Sequence, residues 1–306
     1  MGFGKVVGAG SQSPWQVGRR VGTSTLNTSG FKPVRTIAIT SGKGGVGKTN
    51  VAVNLALALA GLGREVLLLD ADLGLGNVTV LLGLEARHDL SHVVLGEVPL
   101  ADVIVNGPRG LRIVPATSGI QGMTDLGPAG HAGLIRAFSD LPRAPDMLIV
   151  DTAAGINDSV ISFTRAAHEV IVVVCDEPTS IVSALALMRL LSGTHGISRF
   201  HLLANMVVGA DEGEALFQKV LRLATQDLDA TLAYAGWVPM DDYLRRAVRK
   251  QLAVVEAYPR SRAANAFQSL ARKADNWPVP DAARGHLEFF VERLFGDHCK
   301  PRRIAL

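Results

Sequence analysis

From residue 34 onward, short runs of apolar residues alternate with longer stretches in which apolar residues recur at helical spacing. The apolar runs are Val34–Thr40, Glu65–Asp70, Leu111–Pro115, Met147–Asp151, Val170–Cys175, Phe200–Asn205 and Leu232–Val238. Several are apolar at nearly every position, which is typical of strands buried on both faces of a parallel sheet. Helical patterns fill the gaps at Lys48–Leu62, Ser159–Ala167, Thr179–Leu191, Gly213–Asp227 and Arg260–Asp275. This alternation predicts an α/β fold with a doubly wound, mostly parallel sheet of about 7–8 strands and helices on both faces.

The same patterns divide the chain into three parts. Residues 1–33 are rich in Gly, Ser and Thr and follow neither a strand nor a helix period, which predicts a flexible N-terminal arm. The arm is basic, because it carries lysines and arginines and the first acidic residue of the chain is Glu65. We expect one folded domain over residues 34–276 and a C-terminal tail over residues 277–306.

Within the tail, apolar residues recur at the helical positions i, i+3, i+4 and i+7, namely Leu287, Phe290, Val291 and Leu294. This spacing predicts an amphipathic helix over residues 286–295, with the basic residues Lys300, Arg302 and Arg303 just beyond it. An apolar face beside basic residues can lie in an anionic bilayer interface, so peripheral membrane contact is one expectation. Docking of this face on the protein's own sheet is the alternative, and it suits the acids Glu288 and Glu292 better.

Composition narrows the class of protein. Apolar residues make up 48% of the chain and aromatic residues 5%, with 32 glycines, which favours an α/β protein over an aromatic-rich β-sandwich. The formal net charge of +3 does not indicate a chain that binds polyanions as a whole. Cys175 and Cys299 form neither a disulfide framework nor a CxxC motif, which fits a reducing cytosol. Because the sequence has no secretory signal and no spanning apolar run, we expect a cytoplasmic location.

The motif G-x-x-x-x-G-K-[ST] lies between the first apolar run and the first helical pattern, where a phosphate-binding loop belongs. Its glycines let successive backbone N–H groups face a phosphate, and the N-terminus of the following helix adds positive potential. We expect Lys48 to bridge the β- and γ-phosphates and the Thr49 hydroxyl to bind Mg²⁺. The alternative is a glycine-rich turn that binds nothing. The predicted nucleotide contacts are Gly42, Lys43, Gly44, Gly45, Val46, Gly47, Lys48, Thr49 and Asn50.

Carboxylates end two of the predicted strands. Asp70 and Asp72 end one apolar run, and Asp151 closes another. Ligands of open α/β sheets bind outside the carboxyl ends of the strands, so we expect these side chains near the phosphates. Asp151 has the placement of a Walker B aspartate, which contacts Mg²⁺ directly or through water, and Gly155 is expected to hinge a loop that senses the γ-phosphate. An aspartate that only caps a turn remains the alternative for Asp70 and Asp72.

The loop sequence KGGVGKT, with Lys43 ahead of the glycine pair, resembles the deviant Walker A ATPases of the MinD/ParA family. The resemblance covers residues 34–295 and implies a slow, Mg²⁺-dependent ATPase that forms a homodimer when ATP is bound. It implies that Lys43 reaches the nucleotide of the partner subunit and belongs with Lys48 and Asp72 to the catalytic set. The second aspartate of the family's switch I orients the attacking water, which implies that role for Asp72. Asp70 is then expected near the Mg²⁺ ion, with Thr49 and Asp151 as the other metal ligands.

The resemblance also implies that two later loops hold the adenine. Asn205 ends one predicted strand, and Pro239 and Asp241 follow the last predicted strand. For Asn205 and Asp241 the alternative is an ordinary turn residue. The loop at Asn205 lacks the Lys-Asp pattern of guanine recognition, which favours ATP over GTP.

Within that family the chain is most similar to the regulators of flagellar number. The similar segments are Asp70–Asn77, Asp151–Ile156, Cys175–Ser180 and His286–Leu294. The resemblance implies a switch at the cell pole that acts on a flagellar transcription activator and on the signal-recognition-type GTPase that places flagella. Members that stimulate this GTPase often carry an N-terminal activator motif with an acidic residue, and residues 13–20 lack that acid.

Three other functions stay open. A ParA-type DNA-partitioning ATPase would use a basic surface, and one short helical stretch carries Arg245, Arg246, Arg249 and Lys250. The alternative is a solvated helix face. A MinD-type division-site regulator is expected to have a lysine-rich amphipathic tail, which this chain lacks. An iron–sulfur carrier ATPase needs paired cysteines, and Cys175 within a buried strand is a poor candidate for a ligand.

Overall fold

The structure is a computed structural model, and it describes residues 33–74, 76–116, 126–225, 227–278 and 287–291. The predicted N-terminal arm, up to residue 32, lies outside the described residues, as do Leu294, Lys300, Arg302 and Arg303 of the tail. Regular helices and strands run from Arg35 to Asp275.

Among the described residues, eight strands form one sheet in the order β3-β4-β2-β5-β1-β6-β7-β8. The strands are β1 (Arg35–Ser41), β2 (Val66–Ala71), β3 (Val105–Asn106), β4 (Arg112–Val114), β5 (Met147–Ala154), β6 (Glu169–Val174), β7 (Arg199–Val207) and β8 (Thr231–Pro239). Neighbouring strands are parallel, except that β3 and β4 run antiparallel at one edge. The predicted fold class is confirmed. β3 was not predicted, because two residues are too few to establish a pattern.

The described residues also contain ten α-helices. They are α1 (Lys48–Gly61), α2 (Val78–Leu81), α3 (Leu90–Val94), α4 (Pro128–Ala137), α5 (Asp158–Arg165), α6 (Pro178–His195), α7 (Ala210–Ala224), α8 (Asp242–Arg249), α9 (Val254–Ala257) and α10 (Arg262–Asp275). The helical patterns predicted α1, α5, α6, α7 and α10, and the basic stretch around Arg245 was predicted as a short helix, which is α8. The other four are short or poor in large apolar residues. No described helix combines the length and the apolarity that crossing a membrane requires.

The helices cover both faces of the sheet, because successive side chains of a strand point to opposite faces. In β1, Ile37 and Ile39 pack in the core with α1 and α10, and Ala38 faces the other layer. On that other side, α4 and α5 pack on β2 and β5, while α6 and α7 pack on β6 and β7. The apolar character of the central strands on both faces follows from this double cover.

The register of the central strands brings the loops of the site together. β1 lies in the middle of the sheet between β5 and β6. Asp151 of β5 is in register with Ile39 of β1 and with Asp70 of β2. Since parallel strands end at the same edge, the loops that follow β1, β2 and β5 meet there.

The amphipathic helix predicted over residues 286–295 is wrong for the part that is described. Residues 287–291 form no α-helix, and Phe290 has a φ of +57°. Phe289 and Phe290 are both buried, and both rings make edge contacts with Phe138. The backbone at Phe289 and Phe290 forms a turn, and the positive φ of Phe290 lies outside the helical region. The apolar residues of this segment dock on the protein's own core, which was the alternative to membrane contact.

Two polar contacts hold the same segment. The backbone N–H of Phe289 donates to the Ala166 carbonyl at 3.2 Å. The buried Glu288 lies 3.4 Å from His168 Nε2, and His168 Nδ1 accepts from the Thr36 N–H of β1 at 3.1 Å. These contacts attach the segment to the amino ends of the central strands.

Candidate functional site

The loop between β1 and α1 has the backbone of a phosphate cradle. Gly45 and Gly47 have φ values of +82° and +89°, in the left-handed region that glycine adopts without a steric penalty. Gly47 immediately precedes α1, which begins at Lys48. The unpaired N–H groups of the first turn of α1 and its positive dipole end therefore face the loop, where an anion is stabilised.

The start of the loop is packed tightly against α6. A Cβ added to Gly42 would lie 2.0 Å from the Ser183 carbonyl oxygen, closer than any side chain can come. The Ser41 hydroxyl donates to the Lys43 carbonyl at 2.7 Å, and the Gly155 N–H donates to the Ser41 carbonyl at 3.0 Å. The phosphate loop and the loop after β5 are therefore joined by backbone contacts.

Asn205 braces the phosphate loop from the end of β7. Its Nδ2 donates to the Val46 carbonyl at 2.7 Å, and the side chain is buried. A Cβ at Gly47 would lie 2.6 Å from the same nitrogen, so glycine is required by this close approach as well as by its φ. The sequence implied that Asn205 binds adenine. The observed contact instead gives it a role in positioning the loop, and the adenine contact stays a prediction.

Cys175 adds to this bracing from the end of β6. Its thiol donates to the Val46 carbonyl at 3.8 Å, and its backbone N–H donates to the Ser180 hydroxyl oxygen at 3.1 Å. Burial raises the pKa of the Cys175 thiol to about 11, so the thiol stays protonated at neutral pH. Neither this cysteine nor Ser180 was assigned a role from the sequence.

Lys48 and Asp151 face each other at the floor of the site. Burial lowers the pKa of the Lys48 ammonium, and the carboxylates of Asp151 and Asp72 oppose that effect. Burial and the neighbouring Asp70 raise the pKa of Asp151 well above its usual range, against the lowering effects of a hydrogen bond from Thr49 and of Lys48. The structure thus brings together four of the residues predicted to contact phosphate and metal.

The residues fit a bound Mg²⁺ ion. Asp151 Oδ1 is buried and has no hydrogen-bond partner among the described residues. Asp70 and Asp151, two buried aspartates with raised pKa values, are register partners on adjacent strands. A divalent cation would stabilise both in their ionised form. Asp151 together with the Thr49 hydroxyl forms the oxygen donor set that Mg²⁺ prefers.

Asp70 organises the loop that follows β2. Its carboxylate accepts backbone N–H groups of Asp72 at 3.2 Å, Asn77 at 2.9 Å and Val78 at 3.0 Å. Burial raises its pKa to about 7, although these three hydrogen bonds lower it. Both oxygens are thus engaged by the loop, which fits a turn-capping role. The magnesium contact expected of Asp70 stays a prediction.

Asp72 is less buried than Asp70 and Asp151. It lies close enough to Lys48 for its charge to affect the lysine pKa. Asp72 also lines a cavity of about 600 Å³ next to the beginnings of α4 and α5. This placement, between the phosphate lysine and open space, suits a group that positions water.

Lys43 is held by its own chain. Its Nζ lies 2.7 Å from Glu177 Oε2 and 3.0 Å from Thr179 Oγ1, at the start of α6. The implied contact of Lys43 with the nucleotide of a partner subunit would require this ion pair to break. The sequence contained the Cys175–Ser180 segment as a point of resemblance, but it gave no indication that Glu177 pairs with Lys43.

The loops after β7 and β8 lie beside the phosphate loop. Met206 has a φ of +61° and is partly exposed, and its Cε would lie 3.4 Å from a Cβ at Gly47. Pro239 is buried, while Met240 is exposed. The exposed methionines Met206 and Met240 are an apolar feature that helix or strand periodicity could not reveal.

Asp241 caps two helices. Its Oδ1 accepts from the Tyr243 N–H at 2.8 Å, and its Oδ2 accepts from the Ala263 N–H at 2.9 Å. The turn-capping alternative therefore accounts for both oxygens, and a contact with adenine stays a prediction. The basic residues Arg245, Arg246, Arg249 and Lys250 follow on and just after α8, and all four are exposed.

Comparison with known proteins identifies one family model and several relatives that match most of the chain. A family model described as an AAA domain matches residues 34–196. The antiactivator FleN of Pseudomonas aeruginosa is 60% identical over 262 residues, which cover 86% of this chain and 94% of that protein. The flagellum site-determining protein YlxH of Helicobacter pylori is 32% identical over 216 residues, covering 70% of this chain and 73% of that protein.

Solved structures of similar proteins share the fold of this chain. The septum site-determining protein MinD from Pyrococcus horikoshii, complexed with Mg-ADP, gives a TM-score of 0.67 at 27% identity and covers 79% of this chain and 96% of that one. The MinC:MinD complex of Aquifex aeolicus gives a TM-score of 0.64 at 27% identity, covering 81% and 98% of the two chains.

Proposed function

The chain belongs to the MinD/ParA family of P-loop ATPases and to its flagellar regulators, and we propose that the residues around Lys48 make it an ATP-driven regulatory switch. Its cofactors are ATP and Mg²⁺, and it is a Mg²⁺-dependent ATPase. The observation that carries the proposal is that Asp151 is buried beside Lys48, which ends the phosphate loop. Close contacts leave no room for a side chain at Gly42 and Gly47 of this loop.

The residues divide the chemistry among them. The loop N–H groups and Lys48 bind the phosphates, and Thr49 and Asp151 hold the metal. When bound, Mg²⁺ neutralises charge on the phosphate oxygens. Asp72 orients water for attack on the terminal phosphate and accepts its proton. Asp70 keeps Asp72 in place, since its carboxylate binds the Asp72 N–H.

The switch acts through dimer formation. With ATP bound, Lys43 leaves Glu177 and reaches the phosphates of the second subunit, and the loops at Asp72 and Gly155 respond to the γ-phosphate. To shift a two-state equilibrium nearly completely, ATP has to favour one state by about 5 kcal/mol. Contacts of two phosphate-binding lysines and a metal ion are of sufficient strength for this.

The output of the switch is control of flagellar number, placement and gene expression. The relative with 60% identity is an antiactivator, which supports a flagellar transcription activator as a partner of this chain. The relative named a flagellum site-determining protein supports a second partner in placement, the signal-recognition-type GTPase. Because residues 13–20 lack the acid of the activator motif, stimulation of that GTPase by the arm is not part of the proposal.

A position at the cell pole and peripheral membrane contact belong to the same proposal. Because Phe289 and Phe290 are buried in the protein core, we assign lipid contact to the tail residues beyond 291. Co-sedimentation with anionic liposomes, with and without a non-hydrolysable ATP analogue, tests this contact. Absence of a lipid-bound fraction in both states ends the membrane proposal and leaves the ATPase switch untouched.

Replacing Asp72 by Ala tests the switch directly. We expect Asp72→Ala to bind Mg-ATP with normal affinity, to hydrolyse it about 10²-fold more slowly, and to remain dimeric with ATP. Titration calorimetry, phosphate release and analytical ultracentrifugation measure the three properties. Asp176→Ala is the control, because Asp176 pairs with Lys219 on the protein surface. Normal turnover in the Asp72 variant would refute the assignment.

A further inference from the structure

An exposed basic and aromatic surface is formed by α8 and the residues that follow it. Among the residues of α8, Ala247 alone is buried. We name Tyr243, Arg246, Lys250, Tyr258 and Arg260 the α8 surface. We propose that it docks a segment of a partner protein in which carboxylates flank one apolar side chain. This proposal does not depend on the roles assigned at the phosphate loop.

The cations of the α8 surface are not neutralised within the part of the chain that is described. Arg245 lies 3.8 Å from Asp242, but Arg246, Lys250 and Arg260 form no ion pair with a described carboxylate. Asp241, which precedes α8, is engaged by two backbone N–H groups. A cluster of unpaired cations attracts a partner of opposite charge and guides its approach.

Two tyrosine rings hold these cations in place. The rings of Tyr243 and Tyr258 are 4.9 Å apart between centroids. The Arg246 guanidinium lies 5.4 Å from the Tyr243 ring centre, and Lys250 Nζ lies 5.4 Å from the Tyr258 ring centre. A cation over a ring keeps its charge while it loses part of its freedom. Less entropy then remains to be lost when a carboxylate binds.

A cavity beside the rings supplies the apolar part of the surface. It has a volume of about 350 Å³ and is lined by Tyr243, Ala257, Tyr258, Pro259, Arg260 and Ser261. Ring and aliphatic carbons form most of these walls, so an apolar side chain fills the cavity favourably and a phosphate does not. The cavity and the cations together match an acidic segment with an apolar anchor.

The same observations favour protein over nucleic acid. Nucleic-acid surfaces with aromatic residues bind by stacking bases on open rings. Here Arg246 and Lys250 already lie over the two tyrosines, and the rings meet each other at the edge of the cavity. The basic residues of α8 are therefore assigned to an acidic protein partner.

The α8 surface is connected to the loop after β8. Asp241 caps α8 and also accepts the Ala263 N–H at the start of α10. Through these two hydrogen bonds Asp241 joins the loop after β8 to the starts of α8 and α10.

Fluorescence anisotropy with a labelled short peptide, rich in Glu and Asp around one Leu, tests the proposal on the full chain. The double variant Arg246→Glu/Lys250→Glu should bind this peptide about tenfold more weakly than the unmodified chain. The control Arg136→Glu/Arg222→Glu makes the same charge change on α4 and α7 and should keep its affinity. Tyr258→Ala, and a peptide with Ser in place of Leu, should each weaken binding several-fold.

Three results would overturn the proposal. One is the absence of peptide binding by the unmodified chain, and another is an equal loss in the two charge variants, which would indicate unspecific attraction. The third is tighter binding of duplex DNA that the Arg246→Glu/Lys250→Glu variant loses, which would assign the surface to nucleic acid. Mg-ATP binding by the same variants should remain normal, which separates this test from the proposed ATPase function and verifies folding.

Discussion

Among single residues, Asn205 has two possible roles, contact with the adenine base and support of the phosphate loop, and a substitution separates them. Removal of its side chain leaves the buried Val46 carbonyl with only the long contact of the Cys175 thiol, which costs about 1–3 kcal/mol. We expect Asn205→Ala to weaken Mg-ATP binding about tenfold, since 1.4 kcal/mol is a factor of ten. If the residue acts through the loop, titration calorimetry will show the same loss for Mg-pyrophosphate. Normal pyrophosphate affinity with weak ATP binding would instead assign Asn205 to the adenine.

The buried aspartates predict how the empty protein responds to pH. The pKa of Asp70 is about 7 in the folded chain, against a usual value of 3.8. The folded state therefore holds more protons than the unfolded state between these values, so stability falls as pH rises from 4 to 7. Asp151, whose pKa is also raised, acts in the same direction. The stability that protonated Asp70 contributes is fully present below pH 4 and is lost as the pH rises through 7.

Asp151→Asn tests this pH dependence. The substitution removes one buried charge and the repulsion it exerts on Asp70, so the loss of stability between pH 5 and pH 8 should become smaller by about 1 kcal/mol or more. Thermal unfolding in EDTA without nucleotide measures the slope. An unchanged slope would contradict the electrostatic explanation. Added Mg-ATP should stabilise the unmodified chain more than the variant.

At the scale of elements, the start of α6 controls Lys43. The ion pair with Glu177 is exposed, with 41% and 59% of the two side chains accessible, so it contributes less than about 1 kcal/mol. We expect Glu177→Gln to free Lys43 and to strengthen the ATP dimer by up to about fivefold. Sedimentation equilibrium with a non-hydrolysable ATP analogue measures the dissociation constant of this dimer. Asp176→Asn is the matched control, and a weaker dimer in the Glu177 variant would mean that Glu177 itself contacts the partner.

The elements also show where sequence patterns are sufficient. The central strands were predicted because burial on both faces leaves apolar runs, and α1 because its apolar residues follow directly on the phosphate motif. Over residues 287–291 the predicted tail helix is wrong. Its spacing fits an amphipathic face, whereas these described residues form a turn against Phe138 and the surrounding core. Local spacing contains no information about a distant pocket that accepts two adjacent rings.

In the site too, some residues were predictable from the sequence and other contacts were not. The phosphate loop and Asp151 were predictable because the chemistry requires particular residues next to a strand end. The contacts of Asn205 with Val46 and of Lys43 with Glu177 were not, because each joins residues more than 130 positions apart. Asp241 was assigned to the base by resemblance alone, and only the fold reveals that it caps α8 and the start of α10.

At the scale of the whole molecule, the docked tail segment stabilises the fold. Phe289 is fully buried between the sheet and its helices, so Phe289→Ala should lower the free energy of unfolding by about 3–5 kcal/mol. Leu95→Ala is the control, because 69% of Leu95 is exposed and its loss should cost less than about 0.5 kcal/mol. Urea unfolding monitored by circular dichroism gives both values. Equal costs would show that the segment does not dock in solution.

The central position of β1 has a consequence for synthesis of the protein. Its neighbours β5 and β6 are translated long after it, and the Asn205 contact with the phosphate loop spans 159 residues. At elongation rates of about 5–20 residues per second that interval is on the order of ten seconds. During this time the nascent β1 has no sheet to join and the cradle has no brace. The nascent chain therefore becomes competent for ATP only after most of it has emerged from the ribosome.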